Sequence, residues 1–452
     1  MGSAEQITLL EAENASLRSE IKLLNEKVML LLKLQEEQSI KKDSHNSHNP
    51  PSNDKSKPKR NKSLRKKTGR KPGGQLGHKG NTLKMKAIPD EIVDLKSNYC
   101  ECCGEDISCL AHELVSKRQE VIIPPIQPLF KEYRQYSCLC GCGHHQKAAY
   151  PENINAPIQF GSSVIAMVSY FNVFQYIPYK RLQLLFKDIF NLPISEGSIE
   201  NLLKKAAAKS KPVYQTIFEN IKTSNYIGSD ETGAKVDGEK WWIWVWQNVK
   251  NTFLKASNSR GFDTVEALFP NGLPNAIIGS DRWAAQLKIA SKSKQLCFPH
   301  LQRDLIYLIE TEKTKWAKQF KELLSKTLKL RHFVIEQNKP FQREDEQAQE
   351  LENELNQLLA VTLVKNTVPK THTFQKSMIK YRNYLFQCLY ELDVPPDNNA
   401  SERAIRNVKV KQKISGQFKS GQHTFCVLRS IIDTLRKRKL DVFFFLKQIM
   451  AT

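Results

Sequence analysis

Three acids stand at spacings that could hold metal. Asp230 closes a short apolar run, Ile227-Gly228-Ser229-Asp230. The same pattern returns as Ile278-Gly279-Ser280-Asp281 after a second apolar run that begins at Ala276. Both aspartates read as strand ends of one sheet, where a buried carboxylate needs a metal or a partner. The third acid, Glu402, follows Pro395-Pro396 and Asp397-Asn398. Asp or Asn there caps a helix, and the prolines keep the preceding chain out of it. Glu402 then falls in the first turns, with Arg406 four residues on and on the same face. Singly, each acid is an ordinary surface or capping residue. An ordered set on strand, strand and helix points to hard-metal chemistry. Mg²⁺ takes oxygen ligands and keeps waters, and Mn²⁺ substitutes for it. Two such ions about 4 Å apart activate the attacking oxygen and stabilise the leaving oxygen of a phosphodiester. In that chemistry the acids are ligands, and the nucleophile is a metal-bound water or a DNA 3′-hydroxyl.

The elements that must carry these acids are legible around them. Strands are expected over 225–236, 240–248 and 251–257, with a turn at Asp237-Gly238. The second holds Trp241-Trp242-Ile243-Trp244-Val245-Trp246, which has no clean alternation, so both of its faces should be covered. A helix at 264–269, a strand at 276–281 and a strand at 295–298 complete a β-β-β-α-β order. That order is the one found in a ribonuclease-H-like fold, a mixed sheet flanked by helices. The domain is expected over 216–408, with a helical insertion at about 301–387 that includes Glu344–Leu359.

The rest of the chain points to a polyanionic partner. Its 452 residues carry a formal charge of +22 and a pI near 9.4, a balance that favours nucleic acid. No stretch of 18 apolar residues occurs, and the N-terminus lacks a signal-peptide core, so the sequence implies a cytoplasmic protein with no membrane span. Gln6 also breaks the myristoylation pattern. Within residues 1–38, Leu10, Leu17, Leu24 and Leu31 recur every seven residues, with Ile7, Asn14, Ile21 and Val28 three before each. β-Branched residues at one seam position and Leu at the other predict a parallel homodimeric coiled coil over 5–34, with Asn14 fixing its register. Residues 39–84 read as a disordered basic arm: Lys55 to Lys71 holds ten Lys or Arg and no acid. Gly69-Arg70-Lys71-Pro72-Gly73 has the form of a minor-groove hook.

Seven of the ten cysteines fall between Cys100 and Cys142, within a module expected over 85–150. In a cytosolic chain such crowding implies structural zinc rather than disulfides. Cys100 and Cys103 form the first pair; the second is Cys138 with Cys140 or Cys142, with His144 an alternative. Cys102 and Cys109 are spare. Between the clusters, 115–136 reads as β structure broken by Pro124-Pro125. Residues 151–215 read as three helices in which 192–197 makes a turn. The pattern fits either a DNA-reading helix-turn-helix or a packed connector. A basic helical segment, 409–452, ends the chain.

Together these features resemble the insertion-sequence 66 family of DDE transposases. The resemblance covers most of the length. It rests on the coiled coil, Gly73-Gly74-Gln75-Leu76-Gly77-His78-Lys79-Gly80 and the cysteine-rich finger. It also rests on Asp230-Glu231-Thr232, Ser280-Asp281, Cys297-x-x-His300 with Arg303, and Asn398-Asn399-x-x-Glu402-Arg403. The finger departs from the family pattern, since Cys-x-Cys-x-Cys replaces a simple Cys-x-x-Cys. The resemblance implies a fold and an activity: Mg²⁺-dependent DNA cleavage and strand transfer at Asp230, Asp281 and Glu402, with His300 near the reacting phosphate. It implies a bacterial, nucleoid-associated protein acting on terminal inverted repeats and target DNA, with accessory proteins encoded beside it. DNA contacts are expected from Lys59, Arg60, Arg65, Lys66, Lys67, Arg70 and Lys71 on the arm, from His78 and Lys79, from Arg303, and from Arg403, Arg406, Lys409, Lys411 and Lys413. The competing readings are a transposase-derived DNA-binding regulator with an idle site and a structure-selective nuclease.

Overall fold

A computed structural model of the chain describes residues 83–451, preceded by residues 2, 13–29, 46–47, 73–75 and 77–80. The arm residues Lys59, Arg60, Arg65, Lys66, Lys67, Arg70 and Lys71, and the seam residues Ile7, Leu10 and Leu31, lie outside them. Residues 13–29 form one helix, α1. Its seam residues Leu17, Ile21, Leu24 and Val28 are all exposed, at 51%, 58%, 60% and 47%.

A five-stranded mixed sheet organises the rest, in the order β5-β4-β3-β6-β7. Strand β3 (Tyr226–Val236) pairs antiparallel with β4 (Glu239–Gln247), and β4 with β5 (Thr252–Ser257). On its other side β3 pairs parallel with β6 (Leu273–Ser280), and β6 with β7 (Ser291–Leu296). The β3–β4 hairpin closes where the sequence reading puts it. Asp237 and Gly238 both take positive φ, 47° and 81°, as a tight turn matched to strand twist requires. The sheet is flanked by helices, an arrangement that fits a ribonuclease-H-like domain.

Two cores sit on this sheet. One joins Ile227, Ile243, Trp244 and Trp246 to α2 (Ser162–Ser169), α3 (Tyr179–Phe190), α4 (Glu196–Lys209), α5 (Lys211–Lys222), α14 (Gln422–Lys437) and α15 (Val442–Ala451). Trp244 and Trp246 are wholly buried, with ring centroids 5.7 Å apart and planes 7° from parallel. The covering of β4 holds only from Ile243 onward; Glu239 and Lys240 are exposed and Trp241 and Trp242 half-buried, because the hairpin tip runs past its covering helices. The second core, around Phe298, Leu301, Trp316 and Phe320, belongs to α8 (Phe298–Thr311), α9 (Lys315–Gln337), α10 (Glu346–Ala360), α11 (Pro369–Lys380) and α12 (Gln387–Tyr390). Tyr226, Ile277 and Leu296 tie it to the sheet.

Several expectations need correction. Residues 115–136 contain no strand: Pro124, Pro125 and Pro128 remove three ladder donors, and Val115, Ile123 and Leu129 are exposed at 93%, 81% and 92%, with no second layer over them. The short hairpin β1 (Ser137–Leu139) and β2 (His145–Lys147) stands beyond it. The last strand lies at Ser291–Leu296 rather than 295–298, because Cys297 already caps α8 and Pro299 occupies its first turn. Its Lys-Ser alternation reads as a loop, yet suits a sheet edge. Asp230 is not a strand end. β3 runs six residues past it, paired with β4 alone once β6 has finished.

Candidate active site

Glycine decides how the helix carrying Glu402 meets the sheet. Gly228 on β3 and Gly279 on β6 are register partners. A Cβ on Gly228 would come within 2.3 Å of Gln247 Nε2, 2.8 Å of Ser401 Oγ and 3.1 Å of Asn398 Oδ1; one on Gly279 would meet the Tyr226 hydroxyl at 2.2 Å. The bare backbone at Gly228 therefore admits the start of α13 (Asn399–Ser415) onto the sheet. Asn398 Nδ2 donates to the Ser229 carbonyl at 2.7 Å, and Gln247 Nε2 to Ser401 Oγ at 3.4 Å. Pairing along β3 leaves Asp230 on the Gly228 face. Glu402, in the first turn of α13, is thereby brought close enough to Asp230 for its charge to act on that carboxyl.

The electrostatics record that crowding. Burial, then the charges of Asp281, Glu231 and Glu402, push the Asp230 carboxyl well above its ordinary range. Asp281 Oδ1 accepts the Trp283 backbone N–H at 2.8 Å. Glu402 Oε1 is buried without a hydrogen bond, and His300 Nε2 stands 3.8 Å from it. The other ring nitrogen of His300 lies 3.1 Å from Cys297 Sγ, which also accepts the Asn398 backbone N–H at 3.2 Å. Cys297, His300 and Glu402 offer donor atoms all within 4.8 Å, the one such three-donor group among the described residues. Burial pushes the Cys297 thiol up and keeps it protonated.

On the opposite face of β3 lies Glu231, a carboxylate whose need for a partner is legible in the sequence but whose partners, Arg260 and Gln286, are not. Glu231 is buried and takes Arg260 Nε at 3.0 Å and Nη2 at 2.8 Å on Oε1, and Gln286 Nε2 at 2.7 Å on Oε2. Burial and Asp281 push its carboxyl up, while Arg260 pulls it down. The Arg260 guanidinium lies 3.6 Å from the Trp283 ring centroid and 4.7 Å from that of Trp242. The signal in the sequence was the acid next to Asp230 and the tryptophan two residues after Asp281.

A family model described as Transposase IS66 family matches residues 157–424, which span the sheet, the helical insertion, all three acids and His300. The chain belongs to that family. Membership implies a transposase, a DNA-processing enzyme with DNA as partner and a divalent-metal requirement. A second model, described only as a family of unknown function, matches residues 3–84. No curated protein matches the chain. No described helix is long and apolar enough to cross a membrane.

The remaining expected site residues of this transposase-family chain fall into three groups. Glu402, Arg406, Lys409 and Lys413 share one stripe of α13 at four-, three- and four-residue steps, with Arg403 beside it. Arg403, Arg406, Lys409 and Lys413 are exposed, although Lys409 Nζ donates to the Gly233 carbonyl at 2.8 Å. Lys411 is the exception. It points into the protein toward Asn172 Oδ1, 3.5 Å away, and burial, which also pulls its ammonium down to about 8, keeps it from reaching a surface partner. Arg303 is half-buried one turn after His300, and His78 and Lys79 are exposed.

The finger cysteines form two separate turns. Gly104 N–H reaches the Cys100 carbonyl at 2.8 Å, and Gly143 N–H the Cys140 carbonyl at 2.8 Å. Backbone N–H groups of Cys103 and Cys102 hold the Cys100 thiol down, and that of Cys142 does the same for Cys140. No three of Cys100, Cys103, Cys138, Cys140 and Cys142 lie within 4.8 Å of one another.

Proposed function

We propose that this chain is a DNA transposase that cleaves and joins strands at Asp230, Asp281 and Glu402. The observation that carries the reading is the buried Asp230 carboxyl, on which the charges of Asp281 and Glu402 both act. Burial first, and then the charges of Asp281, Glu231 and Glu402, push the Asp230 carboxyl up, and Glu402 keeps a buried oxygen without a hydrogen bond. Without a cation Asp230 relieves its burial by holding a proton, and a bound cation would favour the charged carboxylate instead. The donors are hard oxygens, which fit Mg²⁺ or Mn²⁺; bound there, two such ions would polarise the phosphodiester and lower the pKa of the attacking hydroxyl.

The protein's own part is placement. Gly228 admits α13, Asn398 ties it to Ser229, and the Trp283 N–H orients the Asp281 carboxylate. His300, held from behind by Cys297, stands beside Glu402 where it can contact the scissile phosphate. The basic stripe of α13 would hold the strand next to the acids, since phosphate contacts set register. Two chains paired through residues 5–34 would bring two terminal inverted repeats together, with the basic arm and a zinc-bound finger adding affinity for the ends.

The test is a labelled duplex carrying one inverted repeat from beside the gene, incubated with protein and Mg²⁺ or Mn²⁺. Cleavage at the repeat boundary with joined products, lost in Asp281→Asn, is the expected result. Specific binding with no cleavage under either metal would replace this reading with that of a regulator.

A further inference from the structure

We propose that Arg260 is a DNA-phosphate contact of this site, a role that rests on the strand-cutting reading above. Arg260 lies in the loop between β5 and α6 (Phe262–Leu268). Its side chain is fixed on three sides. Glu231 takes Nε and Nη2 on a single oxygen, and the guanidinium carbon lies over the indole rings of Trp242 and Trp283, 4.7 and 3.6 Å from their centroids. The Nη1 edge makes no hydrogen bond among the described residues, and 37% of the side chain is exposed while its Glu231 partner is 2% exposed.

A counter-ion for Glu231 alone would need none of this. The second Glu231 oxygen is already met by Gln286. The ion pair and the two indole contacts fix the guanidinium while its Nη1 side stays available to a phosphate. The position fits as well. Trp283, which stacks on Arg260, also gives its backbone N–H to Asp281, so one residue links the arginine to a strand-cutting acid. Although Glu231 points away from Asp230, the Asp281 charge acts on both, so Arg260 stands at the edge of the acid group that DNA would approach. Arg282, the residue after Asp281, is bound to Asp304 and lies 3.5 Å from Ser377 Oγ, so it is poorly placed to offset the charge of that group. Arg260 is oriented to do so.

The experiment compares wild type with Arg260→Gln on a duplex carrying one element end, with Ca²⁺ replacing the catalytic metal. Binding is read by anisotropy from 50 to 200 mM NaCl, and single phosphates near the cleaved bond are replaced by methylphosphonate one at a time. Loss of one phosphate contact lowers the log–log salt slope by about 0.9, so the affinity ratio of the two proteins shifts about threefold across that range. One methylphosphonate should then weaken wild type and leave Arg260→Gln unaffected. An unchanged slope, with every methylphosphonate penalty intact in the variant, overturns the proposal and leaves Arg260 as the Glu231 counter-ion. Should the variant not fold, phenylglyoxal labelling of wild type decides the matter. Protection of Arg260 by DNA supports the contact, and equal labelling with and without DNA overturns it. Wild type that binds no DNA at all would sink the strand-cutting reading, and this inference with it.

Discussion

Replacing Gly228 by alanine should uncouple Glu402 from the two aspartates. The added Cβ would stand 2.3 Å from Gln247 Nε2, where ordinary contact begins near 3.4 Å, so something must retreat by about 1 Å. Gln247 cannot simply swing away. Its Oε1 holds the Lys437 ammonium at 2.7 Å, and its amide bonds to Ser401. Ser401 and Asn398, at 2.8 and 3.1 Å from the new atom, are the start of α13 itself. Overpacking of this kind costs about 1–3 kcal/mol. For a domain of this size that lowers the melting temperature by about 2–12 °C. A shift of about 1 Å at a catalytic group costs about 100-fold in rate. Gly233→Ala is the control on the same strand, since its Cβ would meet only Trp242 at 3.9 Å. It should change stability by no more than about 0.5 kcal/mol. Thermal unfolding by circular dichroism and metal-dependent cleavage of an end-bearing duplex read the two effects. If Gly228→Ala melts and cleaves like Gly233→Ala, the close approach of α13 is not what assembles the site.

Three further outcomes follow from the same geometry. In EDTA the protein should lose stability as pH rises from about 4 towards neutrality. Asp230 binds its proton more tightly folded than unfolded, so the folded state holds the extra proton in that window; Asp230→Asn should flatten the melting-temperature profile, and an unchanged profile would discount the crowding. Cys297→Ala should cost about 1–3 kcal/mol in a urea titration, because the buried Asn398 N–H loses its acceptor. Cys297→Ser should recover much of that and of the cleavage rate, whereas equal losses in both would mean that the sulfur only fills space. Cys100→Ser and Cys138→Ser should each abolish bound zinc measured by atomic absorption; metal retained in both would remove zinc from the finger.

The locally written features were legible in the sequence. The Asp237-Gly238 turn, the strands around it and the helix that begins beside Asn398 follow from backbone preferences acting over a few residues. So does the order of three acids along the chain, because strand and helix periodicity are short-range properties. Membership of the transposase family was legible for the same reason, since it is carried by motifs. What distant segments cover could not be read this way. Lys411 sits in a basic run and reads as a DNA contact, yet the helical turn aims it at Asn172, 239 residues earlier in the chain. The repeated glycine before each aspartate looked like part of a motif. Only the packing of Ser401 and Asn398 on Gly228, and of Tyr226 on Gly279, gives the two glycines their reason. Arg260 carried no signal in its own neighbourhood, because Glu231, Trp242 and Trp283 reach it from three other elements. Burial and charge are sums over neighbours in space, and the tertiary structure chooses those neighbours.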